Sequence, residues 1–436
     1  MHTKTLAHSP LRILDERLHA DPSRVVLRPF HLGWQAANAG EGRALRLVSD
    51  IARLDEERVE QEYAHVLRDF GNRHWQTEHM FDARYREVET RLDLFGRTFS
   101  ETRRRLIGAY FCHEYTYSAA ALMNPSIVPH PDQSGMAEGT VRFIMSLRAV
   151  GEGHISSIAF REGIANADGS FTLWPETAFA TAVQQVETHA PQSADHVTVE
   201  RHPESSLSNT VIFPITEQQA NGLEDLRLVR VDHGGGDYEW VGTYTAYSGK
   251  SIQSELLRTR DFHTFDLQPI TGRAGRNKGM ALFPEKIDGH YMIVGRQDGK
   301  NLYLLQSDRL DHWDDEGVLL MEPKYPWEFI QIGNCGAPIR TDAGWLLLTH
   351  GVGPMRKYAL GAVLLDLKDP SRIIGRTREP ILTAEDADRA GYVPNVVYTC
   401  GGMMMPGGQF LIPYGISDIA VGFATAALED LLAVMD

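Results

Sequence analysis

An acid pair and an arginine, Glu224, Asp225 and Arg227, stand directly before an apolar alternation that is typical of a β-strand. Side chains at positions i and i+2 of a strand share a face, so the sequence predicts that Asp225 and Arg227 point the same way and Glu224 the opposite way. One interpretation is a structural ion pair between Asp225 and Arg227. The other is that Asp225, facing an anion-binding pocket, holds a proton for a leaving group.

The bulk composition limits the classes of protein that fit this chain. Its 436 residues, 42% of them hydrophobic, are enough for one large domain or two ordinary ones. The formal charge of −15 argues against a nucleic-acid-binding protein, which needs a basic face. The cysteines Cys112, Cys335 and Cys400 are too far apart to indicate a zinc site, and free thiols are expected. We expect a cytoplasmic protein, because the sequence has no signal-peptide core and no apolar run of the ~18 residues that a membrane span needs.

The N-terminal part of the chain, residues 1–118, is predicted to be an arm followed by a helical extension. From about Glu41 to Ala121, apolar residues recur every three or four positions with charges between them, as in ALRLVSDIARLDEERVEQEYAHVLRDF. A later run indicates two more helices broken near Gly96, and its basic cluster at Arg103–Leu106 is interpreted as a solvated helix face. Before the helices, residues 24–36 fit either a strand or an irregular arm.

Residues 119–436 show a different, repeating pattern. Short apolar strands separated by turns recur as one unit, whose middle strands are EGTVRFIMSLRAV, GGDYEWVGTYTAY, DGHYMIVGRQDG, AGWLLLTHGVG and GGQFLIPYGIS. Five copies of a three- or four-stranded unit predict an all-β fold, a five-bladed β-propeller, with a β-sandwich as the alternative. The insertion at residues 164–218 is longer than a blade connection needs, and we interpret its polar part as a long loop over one face of the disc.

In a propeller the first strand of each blade lines the central channel, so polar residues at the strand entrances should converge on one mouth. Those residues are Asn124, Asp225, Arg276, Asn277, Lys278, Asn334 and Asn395, and the middle strands end nearby at Arg148, Tyr244, Arg296, His350, Tyr414 and Asp418. Basic side chains gathered near one axis of an acidic chain indicate an anion site. The alternative is that each of them pairs with a local carboxylate.

Ordered motifs across all five units resemble glycoside hydrolase family 130, and they read GLEDLR, YTAYSG, RNKGMALFPEKIDGHYMIVGR, GNCGAPIRTDAGWLLLTHGV and LIPYGISD. That family consists of five-bladed propellers that act as β-mannoside phosphorylases, with a smaller set of β-1,2-mannosidases. The resemblance implies an inverting phosphorylase that cleaves a β-mannoside or manno-oligosaccharide with inorganic phosphate and releases α-mannose 1-phosphate. We expect no cofactor and no metal, since arginines already neutralise the phosphate. Helical additions in relatives tend to lie at subunit contacts, which implies a homo-oligomer.

The resemblance also assigns roles to residues of this chain. The family's catalytic acid corresponds to Asp225, whose proton reaches the glycosidic oxygen through a hydroxyl of the bound mannosyl unit. Residues that hold that sugar correspond to Asn124, Arg148 and Asp418. The aromatic residues that we expect to contact substrate at the mouth are Tyr244, Trp327 and Tyr414.

The phosphate-binding set of the family corresponds to Arg276, Arg296 and His350, with Asn277 beside it. Phosphorylases usually carry a lysine where this chain has Gln331, which keeps a hydrogen-bond donor but lacks the charge. The family's EDPR form is EDLR here, so Leu226 replaces a proline that would have fixed φ.

Two other functions therefore stay open. In a β-mannoside hydrolase of the same fold, a glutamate would activate water, and Glu328 is close enough in sequence to Gln331 to be the candidate base, although it could also be a surface acid at a blade edge. A non-catalytic glycan-binding propeller would keep Arg148 and Trp327, but the presence of Asp225 speaks against it. Phosphate dependence of the activity separates the phosphorylase from the hydrolase.

Overall fold

The alternating pattern after residue 118 forms antiparallel sheets in a computed structural model, which describes residues 9–32, 42–186 and 195–436. The chain divides into two units. One unit holds the described residues up to Pro22 together with residues 118–176 and 183–436, and the other holds residues 23–117 and 177–182.

The elements are numbered in chain order. The N-terminal part contains β1 (Arg12–His19), β2 (Val25–Pro29), α1 (Arg43–Ala52), α2 (Glu56–Phe70), α3 (Thr77–Arg91), α4 (Glu101–Tyr110) and β3 (Cys112–Thr116). The next part contains β4 (Ala121–Pro129), β5 (Thr140–Val150), β6 (Ser156–Asn166), β7 (Phe171–Leu173), β8 (Phe179–Ala182), β9 (Gln184–Gln185), β10 (Val197–Glu200), β11 (Thr210–Ile212), β12 (Gly222–Gly234), β13 (Asp237–Tyr247), β14 (Ile252–Thr259) and β15 (Thr264–Pro269). The last part contains β16 (Ala281–Leu282), β17 (Tyr291–Gly295), β18 (Leu302–Ser307), β19 (Val318–Met321), β20 (Gln331–Asn334), β21 (Ile339–Thr341), β22 (Gly344–Val352), β23 (Tyr358–Leu365), β24 (Ile373–Arg376), β25 (Leu382–Thr383), β26 (Val397–Tyr398), β27 (Met403–Met404), β28 (Gln409–Ile416), β29 (Ala420–Ala427) and α5 (Leu428–Ala433).

The described strands of the larger unit form five blades, numbered 1 to 5 in chain order. Within each blade the strands pair antiparallel from the inner strand outward, as β4–β5–β6, β12–β13–β14–β15, β16–β17–β18–β19, β20–β22–β23–β24 and β26–β28–β29. The prediction of a five-bladed β-propeller is therefore confirmed.

The N-terminal strand β1 supplies the outermost strand of blade 5. It pairs antiparallel with β29, from Arg12 opposite Thr425 to His19 opposite Ala420. The expectation that residues 1–118 form one N-terminal region therefore does not hold for β1, which belongs to the propeller. Blades 5 and 1 also meet through the ring of Phe423, whose centroid lies 4.5 Å from that of Phe171.

The core lies between neighbouring blades. Successive side chains of β22 point to opposite faces, so Leu346 packs towards blade 5 with Phe410, whereas Trp345 packs towards blade 3 with Phe283. The rings of Trp345 and Phe283 meet edge to face at 5.3 Å. Because both faces of a blade are buried in this way, the middle strands carry continuous apolar runs.

The smaller unit contains the helices α1 to α4, as the helical pattern predicted. The break expected near Gly96 lies between α3 and α4, but the helical pattern ends at Tyr110, because residues 112–116 form β3 and pair with β2. Of residues 24–36, Val25–Pro29 form a strand, and residues 33–36 lie outside the described parts of the chain. No helix in those parts is both long and apolar enough to cross a membrane. The homo-oligomer stays a prediction.

The basic cluster at Arg103–Leu106 is only partly a solvated face, because Arg104 is exposed whereas Arg103 is buried. Arg103 is 6% exposed and donates hydrogen bonds to the carbonyl oxygens of Ile51 and Leu54, at 2.6 and 2.7 Å, and to Glu56. These bonds tie α4 to backbone carbonyls at the end of α1 and just after it.

The insertion at 164–218 is not a loop over the disc. Its described residues 197–200 form β10, which pairs with β15 at the outer edge of blade 2, and β11 pairs with β6 of blade 1. Within the polar part predicted to be a loop, residues 197–200 therefore extend the sheet of blade 2, whereas residues 201–209 form no strand. Residues 187–194 lie outside the part of the chain that the structure describes.

Substituting Leu11 by alanine tests the packing of the N-terminal segment in blade 5. Leu11 is 8% exposed and lies in the cluster with Phe410, so Leu11→Ala should lower the free energy of unfolding by about 2–4 kcal/mol. Ile13 is 38% exposed, so the control Ile13→Ala should cost about 0.5 kcal/mol. Urea unfolding measures both changes, and equally small losses would show that the segment is not packed in the core.

Candidate active site

The entrances of the inner strands meet at a cavity of about 340 Å³. Seven of the residues selected from the sequence line it, namely Asn124, Arg148, Asp225, Arg296, Gln331, His350 and Asp418. Other lining residues are Glu224, Arg227, Lys278, Asn334, Arg356, Tyr358, Val393, Val396 and Tyr398. The volume is at the small end of the range of about 300–1,000 Å³ that is usual for ligand sites.

Two inner strands present their polar residues through the same backbone irregularity. Asn124 in β4 and Asp225 in β12 have left-handed φ values of 50° and 57°, and each lies where the strand shifts register against its neighbour. Such φ values are less costly for Asn and Asp than for most residues. The shift breaks the alternation of β12, so Glu224, Asp225 and Arg227 all line the cavity. The prediction that Glu224 points the opposite way is therefore wrong.

Asp225 is held through one of its two carboxylate oxygens. Its Oδ1 accepts hydrogen bonds from Asn124 Nδ2 at 2.7 Å and from Arg148 Nη1 at 3.4 Å. Arg227 Nη1 donates to the backbone oxygen of Asp225 at 2.9 Å. Oδ2 has no hydrogen-bond partner among the residues that the structure describes, so it is available to a ligand.

Arg148 connects the acids of blade 2 to blade 1. Its Nη2 donates to Glu224 Oε1 at 2.7 Å, and its Nε donates to Ser156 Oγ at 2.9 Å. Together with the bond to Asp225, these contacts use all three nitrogens of the guanidinium. Arg148 is therefore paired, as the structural interpretation of the basic residues proposed.

Burial and neighbouring charge act in opposite directions on the carboxyl groups. Burial raises the pKa of Asp225, but the charges of Arg148 and Arg227 outweigh it and leave that pKa below the ordinary value. For Glu224, burial outweighs Arg148 and raises the pKa. Burial, followed by the charge of Asp225, raises the pKa of Asp418 to about 6. Asp225 is therefore ionised at neutral pH, while Asp418 takes up a proton near pH 6.

The cavity also holds cations that form no close ion pair with a described carboxylate. Lys278, Arg296 and Arg356 line it, and none of them forms an ion pair with any described residue. For these three side chains the alternative of local pairing with a carboxylate does not apply. Unpaired cations in one cavity attract an anion.

His350 lies beside these cations as a neutral imidazole. Burial, together with the charges of Arg296 and Arg227, holds its pKa well below the usual range. Its ring stacks on Tyr358 at a centroid distance of 5.8 Å and contacts Tyr398 at 4.8 Å. A neutral histidine can still donate one N–H to an anion.

Arg276, Asn277 and Glu328 do not line the cavity. Arg276 is exposed at the end of a short 3₁₀ turn, and the side chain of Asn277 donates to the backbone oxygen of Gln297 at 3.1 Å. Glu328 is 1% exposed and accepts a bond from Arg376 Nη2 at 2.7 Å. It also accepts bonds from two backbone N–H groups, at 2.8 and 2.9 Å. The carboxylate of Glu328 is therefore engaged outside the cavity, and its role as a base stays a prediction without support from the geometry.

The three selected aromatic residues also lie outside the cavity lining. Tyr244 donates its hydroxyl to Glu255 Oε2 at 2.5 Å within the core. Trp327 donates its indole N–H to the backbone oxygen of Arg378 at 2.9 Å, and its ring packs against glycines of blade 4. Tyr414 is 2% exposed and packs in the core of blade 5. All three fill space between or within blades.

Several lining residues had no catalytic or binding role assigned from the sequence, among them Lys278, Arg356, Tyr358 and Tyr398. Lys278 is one of the polar residues at the predicted strand entrances. The pattern of strand entrances could therefore have identified it as a site residue. Tyr398 lies in the inner strand β26, where its position in the repeat was the available signal. Arg356 lies in the hairpin between β22 and β23, and nothing in the repeat marks it.

This arrangement can transfer a proton next to a bound anion. A carboxyl group with one free oxygen and several unpaired cations share a cavity that opens at the strand entrances. General acid catalysis needs the first feature, and stabilisation of an oxyanion needs the second.

Known proteins with similar sequences and structures bear on this chemistry. The profile of a protein family described as β-1,4-mannooligosaccharide phosphorylase matches residues 179–436. A 1,2-β-oligomannan phosphorylase of Thermoanaerobacter sp. strain X514 is 35% identical over 230 residues, which are 52% of this chain and 75% of that protein. A β-1,2-mannobiose phosphorylase of Listeria innocua is 28% identical over 261 residues, 58% of this chain and 70% of that protein. A glycosyl hydrolase from Bacteroides ovatus, 18% identical, has the same fold, with a TM-score of 0.51 over 72% of this chain and 86% of that chain.

Replacing Asp418 by asparagine should change stability in a pH-dependent way. Because the folded-state pKa of Asp418 is raised from 3.8 to about 6, its favourable contribution is fully present below about pH 4 and is lost as pH rises through 6. Asparagine imitates the protonated carboxyl and tolerates the φ of 52°. Asp418→Asn should therefore raise the free energy of unfolding by up to about 3 kcal/mol at pH 8 and by little at pH 4.

Urea unfolding between pH 4 and pH 8 measures this difference. Asp386→Asn is the matched control, because the Asp386 side chain is 93% exposed and should show no such trend. Destabilisation by Asp418→Asn at pH 8 would show instead that the folded protein favours the charged carboxylate.

Proposed function

Because this chain belongs to glycoside hydrolase family 130, we propose that it is an inverting phosphorylase, which cleaves a β-mannoside with inorganic phosphate. Phosphate attacks the anomeric carbon of the mannosyl unit, and the bond between that carbon and the glycosidic oxygen breaks. The products are α-mannose 1-phosphate and a shortened acceptor. One observation carries this proposal: the free Oδ2 of Asp225 shares a cavity with unpaired Lys278, Arg296 and Arg356.

The phosphate is held by Arg296 and Lys278, with an N–H from His350. An arginine can give two parallel hydrogen bonds to a phosphate, and a lysine acts as a point charge. Lys278 takes the place that the resemblance gave to Arg276 and Asn277, which point elsewhere. It also supplies a charge that Gln331 lacks. We expect no cofactor, since these side chains balance the charge of the phosphate.

Asp225 donates the proton to the departing oxygen. With Arg148 and Arg227 as its charged neighbours, its pKa is low and the carboxylate is ionised. A phosphate on Arg296 and Lys278 brings negative charge into the same cavity, and a like charge raises the pKa of a carboxyl group. Asp225 therefore takes up its proton together with phosphate binding and passes it on as the glycosidic bond breaks.

The mannosyl unit lies against Asn124, Arg148 and Asp418, which surround Asp225 in the cavity. A β-1,2 linkage is the preferred substrate, supported by the names of the Thermoanaerobacter and Listeria relatives. A hydrolase that uses Glu328 as base has no support in the site, because that carboxylate is buried against Arg376.

Turnover of β-1,2- and β-1,4-mannobiose, measured with and without inorganic phosphate, tests the reaction. We expect α-mannose 1-phosphate only when phosphate is present, and faster turnover of the β-1,2 linkage. Arg296→Gln should raise the KM for phosphate by about 10- to 100-fold and leave the KM for mannobiose nearly unchanged, because one bidentate ligand is lost. Free mannose at equal rates in both conditions would contradict phosphorolysis. Binding of both disaccharides without any turnover would support the glycan-binding propeller.

Gln331→Lys should lower the KM for phosphate by about 3- to 10-fold, since it adds a positive charge to the lining of the cavity. Steady-state kinetics with phosphate as the varied substrate measures the effect. Gln306→Lys adds the same charge at an exposed position of β18 and is the matched control. An unchanged KM in both variants would place phosphate away from residue 331.

Two glutamate variants separate the roles of Glu328 and Glu224. Glu328→Gln should keep kcat within about twofold but lower the free energy of unfolding by about 2–4 kcal/mol, because the partner of Arg376 is lost. Glu224→Gln should raise the KM for mannobiose by about tenfold, because it weakens the anchor of Arg148 beside the sugar. Thermal unfolding and steady-state kinetics measure both. A folded Glu328→Gln protein without activity would restore Glu328 as a base.

A further inference from the structure

Large exposed apolar side chains stand next to cavity-lining residues in the sequence, and the proposed reaction does not explain them. Five of them are 39–91% exposed and stand within two residues of a cavity-lining residue, namely Phe329, Ile330, Met355, Tyr392 and Ile419. We call these five residues the apolar rim. Large apolar side chains grouped on a surface usually mark a binding site.

The segments that carry the apolar rim are joined to one another by backbone hydrogen bonds. Ile330 N donates to Val352 O at 3.0 Å, which fixes residues 329–330 beside the hairpin that contains Met355. Tyr358 N, just after that hairpin, donates to Asn395 O at 3.1 Å. These two bonds link the rim of blade 4 to the segment that leads into blade 5.

The same series of contacts continues into blades 5 and 1. Val393 N donates to Ser417 O at 3.1 Å, beside Ile419, and the ring of Tyr392 lies 5.8 Å from that of His154 in blade 1. The apolar rim is therefore an arc along blades 4, 5 and 1. Along blades 2 and 3 the lining consists instead of charged side chains, including Glu224, Lys278 and Arg296.

The hairpin at the centre of the arc has an unusual backbone. Met355 and Arg356 are consecutive non-glycine residues with left-handed φ values of 58° and 54°. This conformation directs Arg356 into the cavity lining while Met355 is 91% exposed. Strain of this kind persists where the surrounding structure holds it, and it is concentrated at ligand sites.

The size of the cavity determines what reaches the rim. At about 340 Å³ it is near the lower limit for ligand sites, and it has to hold a mannosyl unit and a phosphate. The leaving group of the substrate therefore extends over the mouth. A permanent protein contact on the apolar rim would obstruct that mouth, which argues against a subunit interface there.

We propose that the apolar rim is the leaving-group subsite and that it takes β-mannosides whose leaving group presents an apolar surface, such as an alkyl or aryl aglycone. This proposal rests on the proposed function. The aromatic rings of Phe329 and Tyr392 and the flexible thioether of Met355 adapt to such groups without directional hydrogen bonds. The enzyme then selects its sugar by polar contacts inside the cavity and its leaving group by apolar contacts outside it.

Equilibrium binding of octyl β-mannoside and methyl β-mannoside, measured by isothermal titration calorimetry on the full chain, tests the proposal. We expect the octyl ligand to bind at least about tenfold more tightly, because additional methylene groups leave water. Met355→Asn and Phe329→Ser should each reduce this preference by about three- to tenfold without weakening the methyl ligand. Asparagine is chosen at 355 because it tolerates the left-handed φ. Val318→Ser, at a position 62% exposed on β19 of blade 3, is the matched control and should change nothing.

Three outcomes would overturn the proposal: equal binding of the two ligands, a preference that both rim variants retain, or a change of oligomeric state on size-exclusion chromatography with ligand preference intact. The last would identify the rim as a subunit contact. Because binding needs no turnover, the test separates the two proposals. Phosphate-dependent turnover without octyl preference would contradict only the leaving-group subsite. Octyl preference without phosphate-dependent turnover would contradict only phosphorolysis.

Discussion

The site depends on one buried ion network, in which Arg148 of blade 1 holds Glu224 and Asp225 of blade 2. A guanidinium removed from water needs paired acids and hydrogen bonds, and here the two carboxylates and the hydroxyl of Ser156 supply them. The network occupies Oδ1 of Asp225 and leaves Oδ2 free. It also turns Glu224 inward, against the alternation of the strand. The contacts that position Asp225 are therefore the same contacts that join blade 1 to blade 2.

The other cations of the cavity differ from Arg148, because they are not paired with acids. Lys278, Arg296 and Arg356 line the same cavity and form no ion pair with a carboxylate among the described residues. A protein that maximised stability would pair or remove them. Their presence fits a site that is completed by an anionic substrate, where stability has been given up for binding.

The propeller and most of the cavity could be predicted from the sequence, because a repeated strand pattern determines which residues reach the axis. Asn124, Asp225 and His350 were placed there by their position in the repeat alone. Prediction failed where the backbone departs from the regular strand. A register shift in β12 turned Glu224 inward, and a short 3₁₀ turn directed Arg276 outward while Lys278 lines the cavity.

Side-chain burial and the path of the chain were harder to predict than the repeat. Glu328 and Tyr244 are polar residues at expected positions, but buried partners such as Arg376 and Glu255 engage them in the core. Arg376 is far from Glu328 in sequence, whereas Glu255 lies opposite Tyr244 on the neighbouring strand β14, and the pattern of the repeat marks neither partner. In the same way, polarity suggested a loop at residues 197–200, where pairing with β15 at a sheet edge forms a strand.

The pairing of β1 with β29 also constrains how the protein is made. The two strands lie about 400 residues apart, so the ribosome produces β1 long before β29. Blades 1 to 4 can form in order during synthesis, but blade 5 cannot be completed, nor the ring closed, until β29 has been made. Until then the N-terminal strand is an unpaired edge, a segment that chaperones have reason to protect.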